Sequence, residues 1–139
     1  MQRWEYELDQ IEATATDILT WLQQKNALVV ALQGEMGAGK TTLAAALVKA
    51  AGGVAVASSP TFSLLNEYPT HKGTPIYHMD WYRLHDAEEA LQAGLEEPLY
   101  SGNLCLVEWP QKAIELLPPN TIWLTIEQLS PSRRRINAK

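Results

Sequence analysis

The sequence predicts one α/β domain with a mixed, mainly parallel central sheet flanked by helices. Two runs, Ala27 to Leu32 and Leu104 to Val107, are almost wholly apolar. They lack the alternation of a half-solvated strand, as strands covered on both faces of a parallel sheet do. The first run is followed by a glycine-rich break and then by an alanine- and leucine-rich segment, Thr42 to Ala51. That order reads as strand, loop, helix. A chain of 139 residues, 46% hydrophobic with five tryptophans, suffices for one buried core.

Each element has its own local signal. Asp9-Gln10-Ile11-Glu12 has capping-box spacing and opens a helix with the stripe Ile11, Ala15, Ile18, Leu22. Gly52-Gly53 stops the helix that begins near Thr42. Ser58 to Thr61 is a polar break holding Pro60. Phe62 to Tyr68 and Pro75 to Met79 read as strands joined through Lys72-Gly73 in a hairpin. Asp86-Ala87-Glu88-Glu89 is a second capping box, and its short helix ends at Gly94. After the run closed by Glu108-Trp109-Pro110 come a short helix, Gln111 to Leu116, and a last strand, Thr121 to Ile126. There is no internal repeat, linker or low-complexity segment, so residues 1–139 form a single domain.

Charge and composition exclude several classes. Net charge is −5, yet Arg133, Arg134, Arg135 and Lys139 supply four positive charges, leaving −9 for the preceding 132 residues. So acidic a body is a poor surface for tRNA or duplex phosphates, and any nucleic-acid role is expected to run through a partner. The basic run near the end reads as a solvated tail. No stretch approaches the ~20 apolar residues that cross a bilayer, and Met1 to Gln10 carries acids where a signal peptide is basic and apolar. The single cysteine, Cys105, lies inside an apolar run and reads as a core thiol. A reducing, cytoplasmic setting is the expectation.

The chemistry is concentrated at Gly34-Glu35-Met36-Gly37-Ala38-Gly39-Lys40-Thr41, a full match to G-x-x-x-x-G-K-[ST]. Glycines let successive backbone N–H groups turn towards phosphate oxygens, and the following helix directs its N-terminal partial charge at the same point. Gly34, Met36, Gly37, Ala38, Gly39, Lys40 and Thr41 are therefore the candidate ATP-binding residues, with Lys40 on the β- and γ-phosphates and Thr41 on Mg²⁺. Thr42, one residue deeper, is expected to pack with its helix or to support them. Such a site needs an acid at the end of a neighbouring strand. Glu108 closes the more apolar strand and is the candidate metal ligand beside Thr41; Asp80 closes the other candidate strand. One acid would ligate Mg²⁺ and the other orient the attacking oxygen. Thr61 resembles a switch threonine that senses the γ-phosphate. Trp109 either covers the nucleotide or packs in the core. His78 reads as structural, because no second histidine or cysteine pair stands near it, and His71 and His85 read as surface residues.

Assembled, these residues resemble the TsaE family from about Leu8 to Arg135, a resemblance that rests on four blocks in order. They are Gly34 to Thr42, Ser59-Pro60-Thr61-Phe62, His78-Met79-Asp80-Trp81-Tyr82-Arg83, and Leu106-Val107-Glu108-Trp109-Pro110. The first is common to many NTPases; the combination is specific. The resemblance implies a P-loop fold and an ATPase component of tRNA threonylcarbamoyladenosine synthesis. It implies association with TsaD and TsaB, which transfer the threonylcarbamoyl group to adenosine 37 of tRNA. Carried over by position, Lys40 and Thr41 bind phosphate and Mg²⁺, and Glu108 is the metal acid. Asp80 and Thr61 match functional positions, and Arg133 is the candidate nucleotide contact from the end of the chain. A small P-loop kinase, or a nucleotide-gated binding module without turnover, would use the same phosphate cradle.

Overall fold

The computed structural model describes residues 2–54 and 64–139. Thr61, with the Ser59-Pro60-Thr61-Phe62 block, lies outside them. Strands β1 (Gln2–Glu7), β2 (Val29–Gln33), β3 (Leu65–Pro69), β4 (Pro75–Asp80), β5 (Cys105–Glu108), β6 (Ile122–Ser130) and β7 (Arg133–Ala138) form one sheet. Its order is β1-β7-β6-β2-β5-β4-β3. The central four, β6, β2, β5 and β4, are parallel to one another, and antiparallel pairs close both edges. Among the described residues the α-helices are α1 (Ile11–Gln24), α2 (Lys40–Ala50), α3 (Ala87–Gln92) and α4 (Glu96–Leu99), with 3₁₀ segments at Leu8–Gln10 and Pro110–Leu116. The mixed, mainly parallel sheet of one α/β domain is the predicted class.

Two apolar layers explain why β2 and β5 read as unbroken apolar runs. Val30, Leu32 and Leu106 pack with Ile18, Leu22, Leu43 and Leu47 of α1 and α2. Val29, Cys105 and Val107 turn the other way, towards Met79, Trp81, Leu95 and Leu116. Both faces of the pleat are therefore dry. Cys105 is buried as expected, and burial pushes its thiol up to about 12, which leaves it protonated and unreactive at neutral pH.

Four local expectations are corrected. The basic run is not a solvated tail but β7, whose residues alternate between the two faces of the strand. Arg133 pairs with Glu7 at 3.0 Å and Arg135 with Glu5 at 2.9 Å across the β1 seam, while Arg134, Ile136 and Ala138 point inward. Acids at one end of the chain thus find the bases of the other. The first capping box forms earlier than Asp9: the Gln10 side chain accepts from the Glu7 N–H at 3.0 Å, before a 3₁₀ turn and then α1. The second box is half right, since Asp86 caps the Glu89 N–H at 2.9 Å while Glu89 reaches back to His85. The segment Pro110–Leu116 is 3₁₀ rather than α-helical, broken where Ala113 adopts φ −152° and ψ 53°.

Candidate functional site

The parallel register sets the site at the carboxyl ends of β2, β4 and β5. Leu32 lies opposite Glu108 and Asp80 opposite Glu108, so both acids emerge at one edge of the sheet, facing the start of α2. The loop from Gly34 to Gly39 joins β2 to that helix. Gly39 caps α2 in the left-handed region, φ 111°, and Gly37 sits at φ 83°; a side chain at either would be strained. Gly34 is required for a different reason. A Cβ there would stand 2.8 Å from the carbonyl oxygen of Ile126 in β6. That neighbour is backbone and cannot swing aside. Gly34→Ala should therefore cost about 1–3 kcal/mol, measured by urea denaturation; unchanged stability would mean that the loop and β6 part easily.

Lys40 is only 7% exposed. Its ammonium donates to the Gly34 carbonyl and, at 3.5 Å, to that of Glu35. It also stands 4.0 Å from the centre of the Trp109 ring, within cation–π range. Loss of hydration lowers its pKa; the nearby Glu108 and Asp80 charges oppose that shift and do not cancel it. Trp109 is held at φ 57°, a left-handed conformation that is rare for a bulky residue and concentrated at functional sites. Its half-buried ring leans on Tyr82 at 4.9 Å, so it stands at the cleft mouth rather than deep in the core.

Behind the lysine, the Thr41 hydroxyl donates to the Glu108 carboxylate, 2.9 Å to Oε1 and 3.2 Å to Oε2. The second oxygen also meets His78 Nε2 at 2.6 Å. Asp80, half-buried at the rim, accepts the Tyr82 N–H at 3.0 Å. Met36, Gly37, Gly39 and Thr42 line the same cleft as Lys40, Thr41, Asp80, Glu108 and Trp109. Thr42 is exposed there and does not pack against the fold. Ala38 is turned inward instead, and its carbonyl accepts from Arg134 Nε at 3.0 Å. Arg133, the expected nucleotide contact, is committed to Glu7, and its neighbour on the opposite face of β7 is the one that reaches the loop. His71 and His85 are exposed as expected.

These residues fit a magnesium–nucleoside triphosphate. The glycine positions leave the loop amides unobstructed, Lys40 supplies a cation, and the hydroxyl of Thr41 with the carboxylate of Glu108 is a pair of hard oxygen donors. Among the described residues no group of three His, Cys, Asp or Glu side chains could hold a metal ion. A cation here would complete its shell with phosphate oxygens and water, as Mg²⁺ does. Among the described residues, no helix is long and apolar enough to cross a membrane.

Sequence comparison extends the geometry. The family model for the Threonylcarbamoyl adenosine biosynthesis protein TsaE matches residues 6–136. The chain is 37% identical over 117 residues to the tRNA threonylcarbamoyladenosine biosynthesis protein TsaE of Haemophilus influenzae, covering 84% of this chain and 73% of that protein. It is 36% identical over 126 residues to the protein of the same description from Bacillus subtilis, covering 90% and 77%. The crystal structure of Bacillus subtilis YdiB is similar with a TM-score of 0.68 and 27% identity, over 97% of this chain and 82% of that one. With the match running from β1 to β7, this chain belongs to the TsaE family of threonylcarbamoyl adenosine biosynthesis proteins.

Proposed function

We propose that this protein binds ATP with Mg²⁺ and hydrolyses it in the service of tRNA threonylcarbamoyladenosine synthesis. In this reading it acts in the cytoplasm with TsaD and TsaB, and it meets tRNA only through that complex. The observation that carries the reading is the Thr41 hydroxyl bonded to Glu108 beneath a complete phosphate loop. That is the donor pair a P-loop site needs, brought together from α2 and β5.

Lys40 exchanges the Gly34 and Glu35 carbonyls for the β- and γ-phosphate oxygens, a trade of dipoles for full negative charge. The loop amides and the N-terminus of α2 neutralise the same group. Thr41 and Glu108 would hold magnesium at this point, and the ion would supply positive charge against the negative charge that develops in the reaction. Glu108 keeps Thr41 oriented towards it. Asp80, fixed by the Tyr82 amide, orients a water in line with the γ-phosphorus. The bond between the γ-phosphorus and the bridging oxygen breaks as the water oxygen attacks, giving ADP and phosphate. Trp109 and Tyr82 shield the cleft mouth.

Phosphate release should be measured with ATP alone, with candidate phosphoryl acceptors, and with TsaD–TsaB. Release accelerated by TsaD–TsaB is the expected result. A phosphorylated acceptor would make the protein a kinase, and binding without turnover in every arm would make it a nucleotide-gated module. Thr61 belongs to this proposal as the γ-phosphate sensor. Affinity for TsaD–TsaB should be about tenfold higher with a non-hydrolysable ATP analogue than with ADP, and Thr61→Ala should narrow the gap. Equal affinity in the two nucleotide states would remove the switch, since a ligand shifts an equilibrium only by its differential affinity.

A further inference from the structure

His78 does more than fill the core. It is fully buried, and its Nε2 lies 2.6 Å from Glu108 Oε2, which is buried as well. Its other ring nitrogen, Nδ1, has no hydrogen-bond partner among the described residues. A carboxylate only accepts, so Nε2 carries the hydrogen in this pair. The arrangement follows from strand register. In parallel pairing His78 lies opposite Leu106, two residues before Asp80 meets Glu108, so imidazole and carboxylate share the face turned to α2.

The Glu108 carboxylate is thereby held from two sides. Thr41, on the first turn of α2, donates mainly to Oε1, and His78, on β4, donates to Oε2. Without the imidazole, Oε2 would keep, among the described residues, only the longer 3.2 Å contact from Thr41. The carboxylate could then rotate, and the oxygen pair it forms with Thr41 would lose its fixed geometry. Partners one step removed from a metal ligand commonly change metal affinity by about 10–100-fold.

We propose that His78 is a positioning residue that acts through Glu108 to set the affinity of the site for the nucleotide-bound divalent cation. The proposal rests on the magnesium–nucleotide reading above. It separates two roles that a core histidine would confound: ATP affinity without metal, set by the loop and Lys40, and the magnesium requirement, set by the Thr41–Glu108–His78 chain.

The test is a magnesium titration of ATP-analogue binding, followed by calorimetry, with a parallel measurement in excess chelator. His78→Leu removes the donor at similar volume and should raise the magnesium concentration for half-maximal binding about tenfold, with metal-free affinity unchanged. His78→Gln, whose amide nitrogen can reach the Nε2 position, should restore the requirement to within about threefold. An unchanged magnesium requirement in His78→Leu overturns the proposal, and so does a parallel fall of metal-free and metal-dependent binding. Should the leucine variant not fold, His78→Asn, too short to reach Oε2, takes its place against His78→Gln under the same criteria. Nitrogen-15 ring shifts of the wild-type protein without nucleotide give a readout independent of binding. His78 should report the Nε2–H tautomer, and an Nδ1–H tautomer overturns the proposal even if ATP does not bind. Absence of ATP binding by the wild type would instead defeat the functional reading on its own.

Discussion

Lys40→Ala is expected to abolish ATP binding, a loss of at least about 100-fold, while the protein remains folded. The magnitude follows from charge-assisted hydrogen bonds to phosphate, worth roughly 1.5–3 kcal/mol each, with two made at once. The tolerance of the fold follows from the environment of the lysine. Its ammonium is buried against carbonyls and an indole face, with its pKa lowered chiefly by lost hydration. A lowered pKa means that the folded protein holds this proton less readily than the unfolded chain does. The cost is fully present at pH values below the folded pKa, where the lysine is charged in both states. It fades as pH rises from there to the ordinary value of 10.5. Alanine removes the group and its cost together. The variant should therefore melt at or slightly above the wild-type temperature at pH 7, and the wild type should gain on it as pH approaches 10. Calorimetry at fixed salt checks the affinity, and thermal melts across that pH range check the sign. Equal ATP affinity in the two proteins would sink the phosphate-loop reading.

What could be read from the sequence was what is local. The phosphate loop needs eight consecutive residues, with β2 before them and α2 starting at their end, so motif and context sit in one window. Glu108 was visible because a fully apolar strand ends on it. The convergence was visible only in part: the motif's need for a strand-end acid placed Glu108 beside Thr41, but nothing placed His78 there. Thr41 and Glu108 are 67 positions apart and His78 and Glu108 are 30 apart, and nothing in composition announces a parallel register. His78 read as structural because metal-site reasoning asks for a second histidine, whereas this imidazole serves a carboxylate. Arithmetic on the strand would have helped: His78, Asp80 and Ile76 share one face of a period-two element, and two of them are polar.

The ends of the chain were hidden for another reason. In β1 and β7 the alternation is written in charges, so a hydrophobicity pattern does not find it. Glu5 and Glu7 against Arg135 and Arg133 form a cross-strand ladder on the outward face. Arg134 occupies the inward face, where an apolar residue is the usual choice. Its guanidinium is satisfied by the carbonyls of Ala38, Ser130 and Arg133. A buried arginine bonded to the phosphate loop couples the last hairpin of the sheet to the site, a link between residues 96 positions apart. The signal that could have found it was the acid-rich start of the chain facing a base-rich end.

Glu108→Gln should raise the magnesium concentration needed for ATP binding by about 10–100-fold, and Asp80→Asn by much less. The ranking follows from where each carboxylate sits. Glu108 is 2% exposed and already accepts the hydroxyl of Thr41, the other oxygen donor of the pair. Asp80 is half-buried at the rim, with one oxygen committed to the Tyr82 amide. A glutamine at 108 can still accept from Thr41 through its carbonyl, but its amide then confronts the Nε2–H of His78, donor against donor. That clash in a dry site should cost about 1–3 kcal/mol of stability as well. Asp80→Asn keeps an acceptor for the Tyr82 amide. Its effect should appear in turnover at saturating magnesium, because an amide is a poorer group for orienting the attacking water. Magnesium titrations of analogue binding, urea melts and single-turnover rates together resolve the two roles. If Asp80→Asn raised the magnesium requirement more than Glu108→Gln, Asp80 would be the metal acid, and Glu108 would be left to hold Thr41 and His78 in place.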